Sequence, residues 1–320
     1  MPEFRMIDVG ELSLRVAVEG SGPLVLMVHG FPESWYSWRH QLGPVAAAGF
    51  TAAAIDVRGY GGSDKPPAVA DYAMAHMVAD VAGAIRALSP EAPAVIVGHD
   101  WGAPIVWNTA LTRPDVVRAV AGLSVPYTGV PARSFREVFE QAFTARGRFF
   151  YQQYFQAEGV AEAELEADVH NSLRRFYYAI SGDAPEGSFP DKPLGEPLLA
   201  GLADPDPFPA WLTAEDLDYY AGEFERSGFR GPLNRYRNHD ADFAWLQQFK
   251  DRRIEPPALF IGGERDPVLA MMGRTDFALL MKAQVPDLRG HDVLPGCGHW
   301  TQQERPREVN ERLVAWLKGL

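Results

Sequence analysis

Short apolar runs recur through the first 125 residues: LVLMVHG from Leu24, TAAAIDV from Thr51, AVIVGHD from Ala94 and VRAVAGLSV from Val117. The segments between them are long enough to cross over as helices, which is the rhythm of a parallel sheet. PLVLMVHG and APAVIVGHD are apolar almost throughout rather than alternating, so they predict central strands covered by helices on both faces. From about residue 130 to 238 the period becomes helical, in FREVFEQAF, AEAELEADVHNSLRRFYYAI and AEDLDYYAGEFERSGF, and the Pro- and Gly-rich stretch 181–209 reads as a loop. Thr213, with Asp216 three residues on, predicts a helix N-cap. After residue 243 the strand pattern returns in PPALFIGGERDPV and HDVLPGCGHW, and PREVNERLVAWLKGL closes the chain as an amphipathic helix. The expectation is an α/β fold with one core, residues 1–128 and 241–320, interrupted by a helical cap over 129–240.

A length of 320 residues suits one such core with an insertion. A net charge of -12, with no cluster of Lys and Arg among aromatics, argues against nucleic acid as a partner. No apolar run reaches the roughly 18 residues of a membrane helix. The start, MPEFRMIDVGELSLRV, lacks the basic, apolar and small-residue order of a signal peptide, so a cytoplasmic location is expected. Cys297 is the one cysteine, which excludes an internal disulfide and reads as structural. The histidines lie mostly alone and no HExxH occurs, so no metal is expected. RGYGGSD lacks GxGxxG spacing, and no cofactor is expected. No heptad stripe stands out, which leaves monomer and homodimer equally open.

The chemistry concentrates at GHDWG. Asp100 follows the strand AVIV and precedes the helical APIVWNTALTR, the place of a nucleophile elbow with Asp in the position of Ser. Gly98 and Gly102 fit a strained turn with close helix packing. Those five residues alone read equally well as a helix N-cap. Further along, Asp266 follows the strand ALFI and His299 follows HDVLP, which gives the order nucleophile, acid, histidine found in hydrolases of this architecture.

HGFPESWYSW, DVRGYGGSD, GHDWGA, FRGPLNRYRN and GCGHWTQQE, in this order over nearly the whole chain, resemble the soluble epoxide hydrolase family of the α/β-hydrolase fold. The resemblance implies that Asp100 is the nucleophile, His299 the base for water and Asp266 its orienting acid. It implies an oxyanion hole from the backbone N–H groups of Phe31 and Trp101, whose side chains wall the pocket, and a cis bond between Phe31 and Pro32. Glu33 and His99 match positions near the hydrolytic water, and His29 is expected to pack the loop. Tyr151 and Tyr236 match the two cap tyrosines that hold the epoxide oxygen. FFYQQYF can be aligned a turn out of register, so Tyr154 stays open as the alternative to Tyr151.

Each implied role has a physical basis. A carboxylate is ionised at neutral pH and attacks carbon without a base, leaving an alkyl ester. Water then attacks that ester while an imidazole takes its proton. The leaving oxygen of an epoxide needs a donor, which phenols supply. The implied partners are a small apolar epoxide and water. A haloalkane or fluoroacetate dehalogenase shares the fold, the nucleophile and the ester, but such enzymes often carry Asn where Phe31 stands, or Arg where Trp101 stands. A non-catalytic ligand-binding protein of this fold usually keeps a serine triad, which Asp100 replaces here.

Overall fold

The computed structural model describes residues 2–273 and 276–320. Eight strands form a single sheet: β1 (Glu3–Asp8), β2 (Ser13–Gly20), β3 (Leu24–Val28), β4 (Thr51–Ile55), β5 (Ala94–His99), β6 (Val117–Leu123), β7 (Ala258–Gly263) and β8 (Leu288–Leu294). Their order is β1-β2-β4-β3-β5-β6-β7-β8. The six strands from β4 to β8 in that order run parallel, and β1 and β2 add an antiparallel edge. The near-continuous apolar strands behave as expected of a sheet covered twice. In β3, Leu24, Leu26 and Val28 join one buried apolar cluster, while Val25 and Met27 join the other.

The β1–β2 hairpin is the part of the sheet that the apolar runs do not announce. β1 reads EFRMID and buries only Ile7, so it lacks the continuous run that marks the central strands. β8 begins three residues ahead of HDVLP, at Leu288. The pattern AEAELEADVHNSLRRFYYAI, expected as one helical stretch, is two helices, Val160–Glu166 and Val169–Ala179. The break falls at Asp168, whose carboxylate accepts the Asn171 N–H at 3.0 Å and so caps the second helix. A short acidic side chain that can bind the backbone N–H groups ahead of it favours a cap over a helix interior.

Between β6 and β7 the described residues form helices and loops and add no strand to the sheet. The helix Ala214–Ser227 starts at Thr213, whose side chain and that of Asp216 bond each other's backbone N–H. Hydroxyls from the inserted helices reach the core. Tyr177 donates to the Pro32 carbonyl at 2.9 Å, and Tyr220 to Gln303 Oε1 at 2.9 Å. Trp35 Nε1 donates to the Tyr219 hydroxyl at 2.8 Å. These bonds seat the insertion over the segments that follow β3 and β8. Among the described residues, no helix is long and apolar enough to cross a membrane.

Candidate active site

Asp100 stands one residue beyond β5 with φ of 50°, a left-handed conformation that costs a non-glycine residue energy. The turn is held by close backbone packing. A side chain at Gly98 would strike the Gly102 carbonyl, and one at Gly102 would strike the Val28 carbonyl. The helix Gly102–Thr112 follows at once. The tight turn lifts the Asp100 carboxylate off the sheet edge, where Oδ1 accepts the Phe31 N–H at 2.7 Å. Trp101 is the N-cap residue of that helix, so its N–H has no acceptor within the helix. The Phe31–Pro32 peptide is cis.

Asp266 and His299 reach the same corner from β7 and β8. His299 Nδ1 lies 3.0 Å from both carboxylate oxygens of Asp266, and its Nε2 lies 3.3 Å from Asp100 Oδ2. The imidazole therefore bridges two carboxylates, and only 1% of His299 is exposed. Burial works against a charged ring here, but Asp266 and Asp100 outweigh it and hold the imidazole well above its ordinary value. Asp266 also accepts the Val268 N–H at 2.8 Å, which fixes the carboxylate that orients the ring.

Glu33 and His99 pair with each other beneath this corner. His99 Nδ1 sits 2.8 Å from Glu33 Oε2, and its Nε2 sits 2.8 Å from the His299 carbonyl oxygen. The ring thus bridges the Glu33 carboxylate and the His299 backbone. Glu33 also accepts the Gly30 N–H at 2.9 Å and the Gln302 amide at 3.0 Å. Burial alone would raise its carboxyl, yet the His99 charge and these bonds hold it down at about 2. The pair ties the loop after β3 to the backbone of His299. His29 packs that loop: its Nδ1 donates to the Gly30 carbonyl at 2.8 Å and its Nε2 accepts the Val57 N–H at 3.0 Å. Cys297 is buried and its thiol is pushed up by that burial.

Tyr236, 2% exposed, packs edge-on against Phe31 at 5.4 Å and Trp101 at 5.2 Å, the residues on either side of the Asp100 carboxylate. Tyr151 packs against Tyr236 at 6.0 Å between ring centroids. Burial first, and then the Asp100 charge, raises both hydroxyls above the ordinary phenol value. Tyr154 is committed elsewhere, since its hydroxyl donates to Glu164 Oε2 at 2.7 Å. Ten positions singled out from the sequence thus gather around one corner.

Three supports were not singled out. Ser124, with φ of 66°, donates its hydroxyl to the His299 carbonyl at 2.7 Å. Glu304 accepts the N–H groups of Gly182, Gly298 and Trp300 at 2.9, 2.8 and 3.0 Å and so frames the histidine loop. Gln302 reaches Glu33. The last two lie in GCGHWTQQE, where acid and amides directly after a histidine were the available signal; Ser124 carries none. Among the described residues, no group of three metal-ligating side chains occurs.

The family described as alpha/beta hydrolase fold matches residues 23–306. The chain is 42% identical over 328 residues to epoxide hydrolase A of Mycobacterium tuberculosis, a match that takes in 100% of this chain and 98% of that protein. It is 41% identical to bifunctional epoxide hydrolase 2 of Rattus norvegicus over 93% of this chain and 52% of the longer protein. A solved epoxide hydrolase from an endophytic Streptomyces superposes with a TM-score of 0.94 at 48% identity, over 99% of this chain and 96% of the other.

Proposed function

The chain belongs to the soluble epoxide hydrolases of the α/β-hydrolase fold, and from that premise we propose that it adds water to an epoxide through a covalent ester on Asp100, giving a vicinal diol. The observation that carries this reading is the His299 imidazole set between Asp100 and Asp266, with Tyr236 and Tyr151 packed beside the residues that flank Asp100. Residues 129–240 act in it as the cap that brings the phenols to the corner.

Asp100 Oδ1 accepts the Phe31 N–H and so is placed for the oxyanion hole, while Oδ2, 3.3 Å from His299 Nε2, is the attacking oxygen. Attack on a ring carbon breaks a carbon–oxygen bond, and the freed oxygen takes its hydrogen bond, and then its proton, from Tyr236 and Tyr151. Phenols held above their ordinary value stay protonated at neutral pH, as donors must. The ester carries no charge, so one of the two carboxylates that raised His299 is lost. Its pKa falls, so the imidazolium gives up its proton, which replaces the one a phenol spent on the freed oxygen, and the now neutral ring becomes able to take a proton from water. Ester formation thereby switches on the base that destroys the ester. Attack on the ester carbonyl returns negative charge to Oδ1, where the N–H groups of Phe31 and Trp101 meet it. Asp266 stabilises the imidazolium formed in that step. As the intermediate collapses, the bond between the Asp100 carboxyl carbon and Oδ2 breaks, Oδ2 leaves as the diol's new hydroxyl with the imidazolium proton, and the water oxygen stays in the carboxylate.

The same nucleophile and ester would serve a dehalogenase, so the test must separate leaving groups. Purified protein offered a panel of epoxides and a panel of haloalkanes should release diols and no halide. Halide release without diol would overturn the assignment.

A further inference from the structure

Tyr151 opens a helix of only four residues, Tyr151–Tyr154. One turn has too few internal bonds to hold a side chain in register, and two glutamines supply what it lacks. The Gln156 amide nitrogen donates to the Gln152 carbonyl at 2.7 Å and to the Tyr236 carbonyl at 2.9 Å, joining the turn that bears Tyr151 to the end of the helix that bears Tyr236. The Gln152 amide nitrogen then donates to the Tyr151 hydroxyl oxygen at 2.8 Å.

That last bond decides which way the phenol can act. A hydroxyl has one proton and two acceptor positions. At Tyr151 an acceptor position is filled by Gln152, so the proton stays available for another oxygen. An accepted bond also polarises the O–H and strengthens it as a donor. Tyr154 shows the opposite state three residues away, with its proton spent on Glu164. The neighbouring positions on one short helix are thus separated into a free donor and a committed one by the residues that meet their hydroxyls.

We propose that Gln152 is a positioning residue for ring opening: its amide fixes the Tyr151 hydroxyl with the proton free for the epoxide oxygen and makes that proton easier to share with the oxygen as the ring opens. This rests on the reading of Tyr151 as a ring-opening donor. In that step the bond from Asp100 Oδ2 to the ring carbon forms, the ring carbon–oxygen bond breaks and the phenol proton passes to the freed oxygen, while Gln152 bonds the phenol and not the substrate.

The experiment is a transient-kinetic comparison of Gln152→Leu, Gln152→Glu, Tyr151→Phe and the pair Gln152→Leu with Tyr151→Phe, using an aryl epoxide and Trp fluorescence to separate ester formation from ester hydrolysis. Loss of one hydrogen bond should slow ester formation by about tenfold in Gln152→Leu, while hydrolysis of the ester, which does not involve the phenol, stays within about twofold of the parent. An unchanged hydrolysis rate also shows that the variant is folded. Gln152→Glu puts an acceptor where the donor was, so ester formation should be slow at high pH and recover as the new carboxyl protonates. In the Tyr151→Phe background, Gln152→Leu should add nothing. Parent-like ester formation in Gln152→Leu alongside a slow Tyr151→Phe would overturn the role of Gln152 alone. An effect of Gln152→Leu that persists without the Tyr151 hydroxyl would overturn it too, as a packing effect. A Tyr151→Phe enzyme that forms ester at the parent rate would overturn both this inference and the reading beneath it.

Discussion

Asp100, Asp266 and His299 stand just past the ends of β5, β7 and β8, whereas Tyr151 and Tyr236 stand on helices of the insertion, and the two groups are held by different forces. At the corner, charge and backbone set every position. Asp100 is fixed by a left-handed turn, Asp266 by the Val268 N–H, and the His299 carbonyl by donors from Ser124 and His99. On the other side the phenols rest on aromatic edges from Phe31, Trp101 and Phe155, with an amide from Gln152 on the Tyr151 hydroxyl and one from Gln156 on the Tyr236 backbone carbonyl. In the proposed mechanism the nucleophile must meet its target within tenths of an ångström, which favours strand ends. The proposed sharing of proton donation between two phenols tolerates looser support, which suits an inserted element.

This contrast can be broken first at the corner. Asp100→Ala should lower kcat by roughly four orders of magnitude or more. His299→Gln should also stop turnover, but as a different species: ester forms and persists, visible in intact-protein mass as the added mass of the epoxide. Equal failure without added mass would show that His299 acts before the ester rather than after it. On the phenol side, replacing Tyr151 and Tyr236 together with Phe should slow ester formation by about 10² to 10⁴-fold, and replacing either alone should cost clearly less. If one single variant matched the double, the two hydroxyls would not share one oxygen.

A smaller effect tests the buried pair under the corner. Breaking a buried ion pair from one side typically costs about 3 to 5 kcal/mol, so Glu33→Gln should lower the denaturation midpoint at neutral pH. Because the Glu33 carboxyl is held below its ordinary 4.5, at about 2, its stabilisation is complete above 4.5 and fades as pH falls towards 2. The gap in stability between parent and Glu33→Gln should therefore close in acid, measured by urea unfolding across that window. The smallest change is expected from Tyr154→Phe, which gives up a bond to Glu164 outside the corner: about 1 kcal/mol of stability and no change in the rate of ester formation. A large kinetic effect there would exchange the roles of Tyr151 and Tyr154.

The same contrast explains which parts of the molecule are legible in its amino-acid sequence. The central strands declare themselves through runs such as LVLMV and AVIV, because burial on both faces leaves no polar position to alternate. The corner is nearly as plain, since a glycine on either side of Asp100 answers a local steric demand that other residues cannot meet. The edge strand β1 is hidden by its exposure, and the helix break at Asp168 by an acid that fits helix and cap alike. FFYQQYF favours Tyr151 over Tyr154 by resemblance alone and leaves its register open: what separates them physically is Glu164 and Gln152, contacts made only in the folded chain. Ser124 is silent for the same reason, being defined by a carbonyl 175 residues away in sequence.

The proposed ester on Asp100 is the step on which the rest of the mechanism depends, and oxygen-18 reports it directly. With enzyme in excess over epoxide in labelled water, a single turnover should give diol whose new oxygen is unlabelled, drawn from the Asp100 carboxylate, and should leave label in a tryptic peptide that contains Asp100. Diol that carries the label from its first turnover, with no label in that peptide, would mean that water attacks the epoxide itself and that the carboxylate never becomes esterified.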